Sequence, residues 1–204
     1  PAYAEGTDTG TDIQAQAAQW PTGPAVQAAS AIIMDASTGT VLYEKDADTP
    51  RYPASITKIM TTLLALENCN LDEMVHFSAT AVYENEGGTS HIARDLDEEM
   101  TLEQCLYGIM LESANECANA VAEHIAGSTE AFADMMNQKA ADLGCTNTHF
   151  VNPHGLHDPE HYTSAHDMAL ITQAALKYDK FREIAGTVRY TIPPTNKNEN
   201  ELMM

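Results

Sequence analysis

Basic residues are scarce in this chain: 10 Lys and Arg stand against 30 Asp and Glu in 204 residues, a formal net charge of −20. A surface so acidic repels phosphate backbones and anionic lipid headgroups, which argues against nucleic acid as a partner. No apolar run approaches the ~20 residues that a membrane-spanning helix needs. Cysteine is limited to Cys69, Cys105, Cys117 and Cys145, with no C-x-x-C pair among them. Cys105 and Cys117 fall on apolar helical positions and read as buried thiols, although spacing alone leaves one disulfide open. No internal repeat is visible. What is present is 44% hydrophobic residues, enough for one packed core.

The opening Pro1-Ala-Tyr-Ala-Glu5 carries small residues at Ala2 and Ala4, the form of a signal-peptide cleavage site, and predicts an exported protein. Residues 1–27, rich in Thr, Gly, Gln, Ala and Asp around the lone Trp20, read as a flexible tether. One folded domain is expected over 28–204.

Ala31–Asp35 and Thr40–Glu44 are β-prone runs joined by a hairpin-length loop ending at Gly39, so an antiparallel pair is expected. Ile56, Ile59, Met60, Leu63 and Leu64 share one face of a helix from about Ser55 to Glu67. Residues 70–100 read as acidic and irregular, with a turn at 87–90. Thr101, with Gln104 three residues on, opens a helix through Leu102, Cys105, Leu106, Ile109 and Met110. Periodicity resumes with Cys117, Val121 and Ile125 up to Gly127, which leaves Ser113 and Asn115 at a junction between two buried helices. Further helices are expected from Ser128 to Leu143, stopped by Gly144, and from the cap Ser164 through Lys177. Thr187–Ile192 alternates like a strand.

Ser55, directly after Pro53-Ala54 and at the first turn of its helix, has the position of an N-cap. Lys58 comes round one turn later to the same face, where an amine can reach a serine hydroxyl. The positive end of the helix dipole favours its neutral form, which is a base. Serine attacks only when a neighbour takes its proton, so Ser-x-x-Lys can be a nucleophile and its activator in one turn. Ser113-x-Asn115 on position alone reads as a cap or an Asx turn.

Together, Pro53-Ala-Ser-Ile-Thr-Lys-Ile-Met-Thr61, Leu111-Glu-Ser-Ala-Asn115 and Asn152-Pro-His-Gly-Leu156 resemble the penicillin-binding D-alanyl-D-alanine carboxypeptidases, relatives of the serine β-lactamases. The resemblance implies an α/β fold of the β-lactamase/transpeptidase type, a helical layer against an antiparallel sheet. It implies trimming of the terminal D-alanine from peptidoglycan stem peptides in the cell envelope, with β-lactams as covalent inhibitors and no cofactor. Ser55 would attack the D-Ala-D-Ala carbonyl, Lys58 would take its proton, and Ser113 would relay a proton to the leaving amine. Asn115, His154 and Gly155 would bind substrate, and the Ser55 N–H would supply half of an oxyanion hole.

The family's third motif, Lys-Thr/Ser-Gly on a late strand, does not occur in these 204 residues; Lys197 in Thr-Asn-Lys-Asn resembles the segment before it. The domain is therefore expected to be truncated before the C-terminal strands, and a C-terminal segment is a possible partner completing the sheet. Three rival readings stay open. His149, His154, His157, His161 and His166 with Asp158 could hold zinc, but Pro159 breaks the i, i+4 pair of His157 and His161, so surface or capping roles are expected and no metal ligand is named. A catalytically silent binding scaffold is the second. A β-lactamase, for which no deacylating glutamate can be assigned, is the third.

Overall fold

A computed structural model describes residues 23–84 and 88–204. The cleavage-site reading, most of the tether and Gly87 of the expected turn lie outside the described residues. Strands β1 (Ala31–Met34) and β2 (Val41–Lys45) form the expected hairpin, with Ile33 opposite Tyr43 and a bulge between Ile33 and Met34. Asp35 builds its turn by accepting from the N–H groups of Ser37 and Thr38 at 3.0 and 2.8 Å.

A 3-10 turn over Ala54–Thr57 leads into α1 (Lys58–Asn68), which packs against five other helices. Met60, Leu63 and Leu64 are buried as their spacing predicts, but Ile56 is 50% exposed. The tighter 3-10 turn advances each residue by about 120° rather than 100° and swings Ile56 off the core face. Ile56 instead lines an apolar groove of about 360 Å³ with Ile32, Met34, Met168 and Leu176.

The stretch 70–100 is more ordered than its composition suggests. Strand β3 (Met74–His76) pairs antiparallel with β4 (Glu99–Thr101), and α2 (Ala79–Tyr83) lies between them in the chain. Thr101 then closes the expected capping box with Gln104 at the start of α3 (Leu102–Leu111). Helix α4 (Asn115–Ala126) is buried over its first eight residues, where Ala118, Ala120 and Ala122 let neighbours approach closely, and ends at Gly127 in the left-handed region. Serine caps hold α5 (Thr129–Asp142) and α6 (Ala165–Ala175), the latter two residues shorter than expected. A seventh helix, α7 (Asp179–Ala185), buries only Phe181 and Ile184 among charged neighbours, so its sequence shows little periodicity. The alternating run before residue 193 gives only β5 (Thr191–Ile192), paired with β6 (Leu202–Met203).

Two packed clusters fill the interior. One gathers Phe77, Met100, Leu106, Ile109, Val121 and Ile184; the other gathers Met60, Leu63, Phe132, Met136, Phe150 and Ile171. All four cysteines are free thiols, and Cys105 and Cys117 are fully buried. Among the described residues no helix is long and apolar enough to cross a membrane.

Candidate active site

Ser55 sits inside the 3-10 turn and is not its cap: that position falls on Pro53, and no side chain caps the turn. Its hydroxyl is therefore not engaged by the helix backbone. Ala54, immediately before it, has φ +50°, a conformation that costs a non-glycine residue about 1 kcal/mol or more and clusters at functional sites.

Lys58 opens α1 and is 2% exposed. Its ammonium nitrogen donates to Asn115 Oδ1 at 2.7 Å and to the His154 carbonyl at 2.8 Å, and makes a longer contact of 3.5 Å with Ser55 Oγ. Three acceptors thus surround one nitrogen and fix its direction. Burial pushes this amine down to about 8 from the ordinary lysine value, against the opposing pull of Glu116 and Cys117. Desolvation, rather than the helix dipole invoked from sequence, is the leading cause.

Asn115 is the first residue of α4, and its own N–H donates to the Ser90 carbonyl at 3.0 Å. Glu116 beside it accepts from the Ile92 N–H at 2.6 Å, so the loop after residue 88 is tied to the start of α4. Ser113 occupies the junction with φ +58°, and its hydroxyl is buried with no hydrogen-bond partner among the described residues. The structure thus brings Ser55, Lys58, Asn115 and His154 together but gives the Ser113 hydroxyl no bond to that group.

The loop at 152–156 presses onto α1. Asn152 Oδ1 accepts from the N–H groups of Gly155 and His154 at 2.7 and 3.3 Å, and Thr61 donates to the Pro153 carbonyl at 2.5 Å. Gly155 has φ +87°, and a Cβ there would lie 1.9 Å from the Ala54 carbonyl oxygen, so only glycine fits against the turn that carries Ser55. His154 meets Lys58 through its carbonyl; the residue is 8% exposed, and its ring accepts from the Leu156 N–H at 3.1 Å. Burial, with Lys58 nearby, pushes this imidazole down to about 3.

Thr57 and Thr61 escape a reading of the sequence, and His161, read there only as one of a histidine cluster, packs inside beside them. His161 Nδ1 accepts from the Val151 N–H at 3.1 Å, which leaves the proton on Nε2 to be donated to Thr57 Oγ1 at 2.8 Å. Burial lowers His161 to about 4, so both inner histidines are neutral at ordinary pH. The only hint is two threonines, four apart, along the segment that carries Ser55 and Lys58. The remaining clustered histidines go to separate partners: His149 to the Glu160 carbonyl, His157 edge-on to Tyr52, His166 to Asp48.

The family model described as D-alanyl-D-alanine carboxypeptidase matches residues 14–203. The D-alanyl-D-alanine carboxypeptidase DacF of Bacillus subtilis is 41% identical over 163 residues, covering 79% of this chain and 42% of its own. A crystal structure of a Mycobacterium tuberculosis D-alanyl-D-alanine carboxypeptidase superposes with a TM-score of 0.83 at 28% identity, over 92% of this chain and 69% of that one. A mutant of a Streptomyces DD-transpeptidase superposes with a TM-score of 0.80 at 34% identity, over 89% of this chain and 74% of that one. The chain spans about two fifths of the length of the Bacillus relative. It has the penicillin-binding, DD-transpeptidase fold and belongs to the D-alanyl-D-alanine carboxypeptidase family.

Proposed function

We propose that these residues form the nucleophile-bearing part of an extracytoplasmic serine carboxypeptidase that removes the terminal D-alanine from peptidoglycan stem peptides and is acylated by β-lactams. The observation that carries this is the buried Lys58 amine, held between Asn115 and His154 and pointed at the Ser55 hydroxyl. In this reading Lys58 takes the Ser55 proton as Ser55 Oγ bonds to the D-Ala carbonyl carbon. The peptide C–N bond then breaks, the leaving amine collects a proton through Ser113, and water hydrolyses the resulting ester. The Ser55 N–H, at the start of a helical segment, would donate to the oxyanion. Asn115 would hold Lys58 and bind the substrate amide, and the loop at His154 and Gly155 would border the cleft.

The test is release of D-alanine from a diacetyl-Lys-D-Ala-D-Ala tripeptide by a protein carrying these residues together with a Lys-Thr-Gly strand. Hydrolysis should disappear in Asn115→Ala, because the lysine loses its principal anchor. Undiminished turnover by that variant would refute the assignment. A silent scaffold is supported by one observation, the unbonded Ser113 hydroxyl; it predicts no D-alanine release from the unaltered protein.

A further inference from the structure

We infer that Cys69, Glu73 and His124 form a divalent-cation site, suited to zinc, that joins the far ends of the two helices carrying Lys58 and Asn115. One ligating atom from each side chain lies within 4.8 Å of the other two. Thiolate, imidazole and carboxylate are the donors zinc takes, with bonds of ~2.0–2.3 Å and ligand atoms therefore ~3.3–3.7 Å apart, so side-chain adjustments of about an ångström close the site. One edge is already that short: His124 Nε2 lies 3.0 Å from Glu73 Oε2. The other carboxylate oxygen, Oε1, accepts from the Asn70 N–H and side-chain amide at 2.6 and 3.0 Å, which aims Oε2 at the cluster. All three residues are half-buried.

The charges balance. Zinc displaces the Cys69 thiol proton to solvent, takes the Nε2 lone pair of a neutral His124 that keeps its proton on Nδ1, and meets one thiolate and one carboxylate, leaving a neutral centre. Three protein ligands leave the fourth position to water.

Cys69 follows α1 directly, and His124 lies in the last turn of α4. At 1.5 Å per residue they lie roughly 14–17 Å along the helices from the Lys58–Asn115 contact, so the ion ties the two helices without touching that contact. The ligands are spaced by 4 and 51 residues and match no zinc motif, whereas the histidine-rich stretch 149–166 draws attention to the wrong place.

The chain, stripped with a chelator, is titrated with zinc chloride and separately with cobalt chloride. Expected are one zinc per chain by elemental analysis, a raised midpoint of thermal unfolding, protection of Cys69 from alkylation by peptide mapping, and a thiolate-to-cobalt charge-transfer band. Cys69→Ser and His124→Gln should lower zinc affinity by more than ~10–100-fold, the loss that changes around a ligand already cause; Asn70→Ala should fall within that range. His157→Ala should bind normally. Absence of the charge-transfer band and of Cys69 protection in the unaltered chain, zinc binding that survives Cys69→Ser, or binding abolished by His157→Ala would each overturn the site. Because the unaltered chain supplies two of the readouts, a variant that fails to fold leaves the inference falsifiable.

Discussion

At Lys58, loss of water outweighs the attraction of Glu116 and Cys117, and the amine titrates at about 8. The proton leaves as pH rises through that value, so acylation by a penicillin should climb with pH to about 8 and level off above it. His154 and His161 are already neutral above about 3 and about 4 and should add no step near pH 6.5. A pH profile of the second-order acylation rate checks this, and a single inflection near 6.5 would speak against Lys58 as the base. Gly155 is the second sensitive residue. Gly155→Ala should destabilise by more than about 1 kcal/mol, since φ is +87° and the added methyl strikes the Ala54 carbonyl. Urea unfolding and the acylation rate should both register the loss, because Ala54 directly precedes Ser55, the proposed nucleophile. Ser55, Lys58 and Asn115, which the structure brings together, could be picked out of the sequence as candidates because each stands at a local landmark, one helical turn or one junction. The Thr57–His161 bond joins residues 104 apart and has no local signature.

Elements were legible where a cap or a long period marks them. The capping box at Thr101, the serine caps at Ser128 and Ser164, and the glycine stops at Gly127 and Gly144 all follow from side-chain and backbone rules that need no tertiary context. Thr101→Ala should cost about 0.5–2 kcal/mol in urea unfolding with Ser55 chemistry unchanged; an unaltered midpoint would show that the cap bond contributes nothing. Strands of two or three residues have no readable period, which is why β3, β4 and β6 stayed hidden and the strand expected over 187–192 shrank to the two residues of β5. Their anchor is tertiary. Glu98, fully buried, accepts from Arg94 at 2.9 Å, from the Asp95 N–H at 2.8 Å and from Thr195 at 2.6 Å, tying the segment before β4 to the loop before β6. Glu98→Ala should cost about 3–5 kcal/mol by leaving the Arg94 charge buried and unpaired. A loss below 1 kcal/mol in the same unfolding assay would mean the pair is incidental.

For the whole molecule, the buried histidines set an acid limit. Their folded values of about 3 and about 4 lie below the ordinary 6.5, so between these the unfolded chain binds more protons. Stability therefore rises with pH across that window and is lost as pH falls from 6.5 towards 4, by about 1.4 kcal/mol per histidine for each pH unit crossed. Thermal unfolding at several pH values should show it, and His161→Gln should flatten the slope; a constant midpoint from pH 7 to 4.5 would contradict it. The antiparallel hairpin leaves Ile33, Val41 and Leu42 exposed. The central claim, that Ser55 is the nucleophile and Lys58 its base, is tested most directly by intact mass and peptide mapping after penicillin treatment. A protein carrying these residues with a Lys-Thr-Gly strand should gain one penicilloyl group on Ser55, the 204 residues alone should react slowly or not at all, and Ser55→Ala should lose on the order of 10⁶ in rate. Lys58→Arg should be nearly as inert, since arginine stays protonated. An adduct on any other residue, or rapid labelling of either variant, would contradict the account.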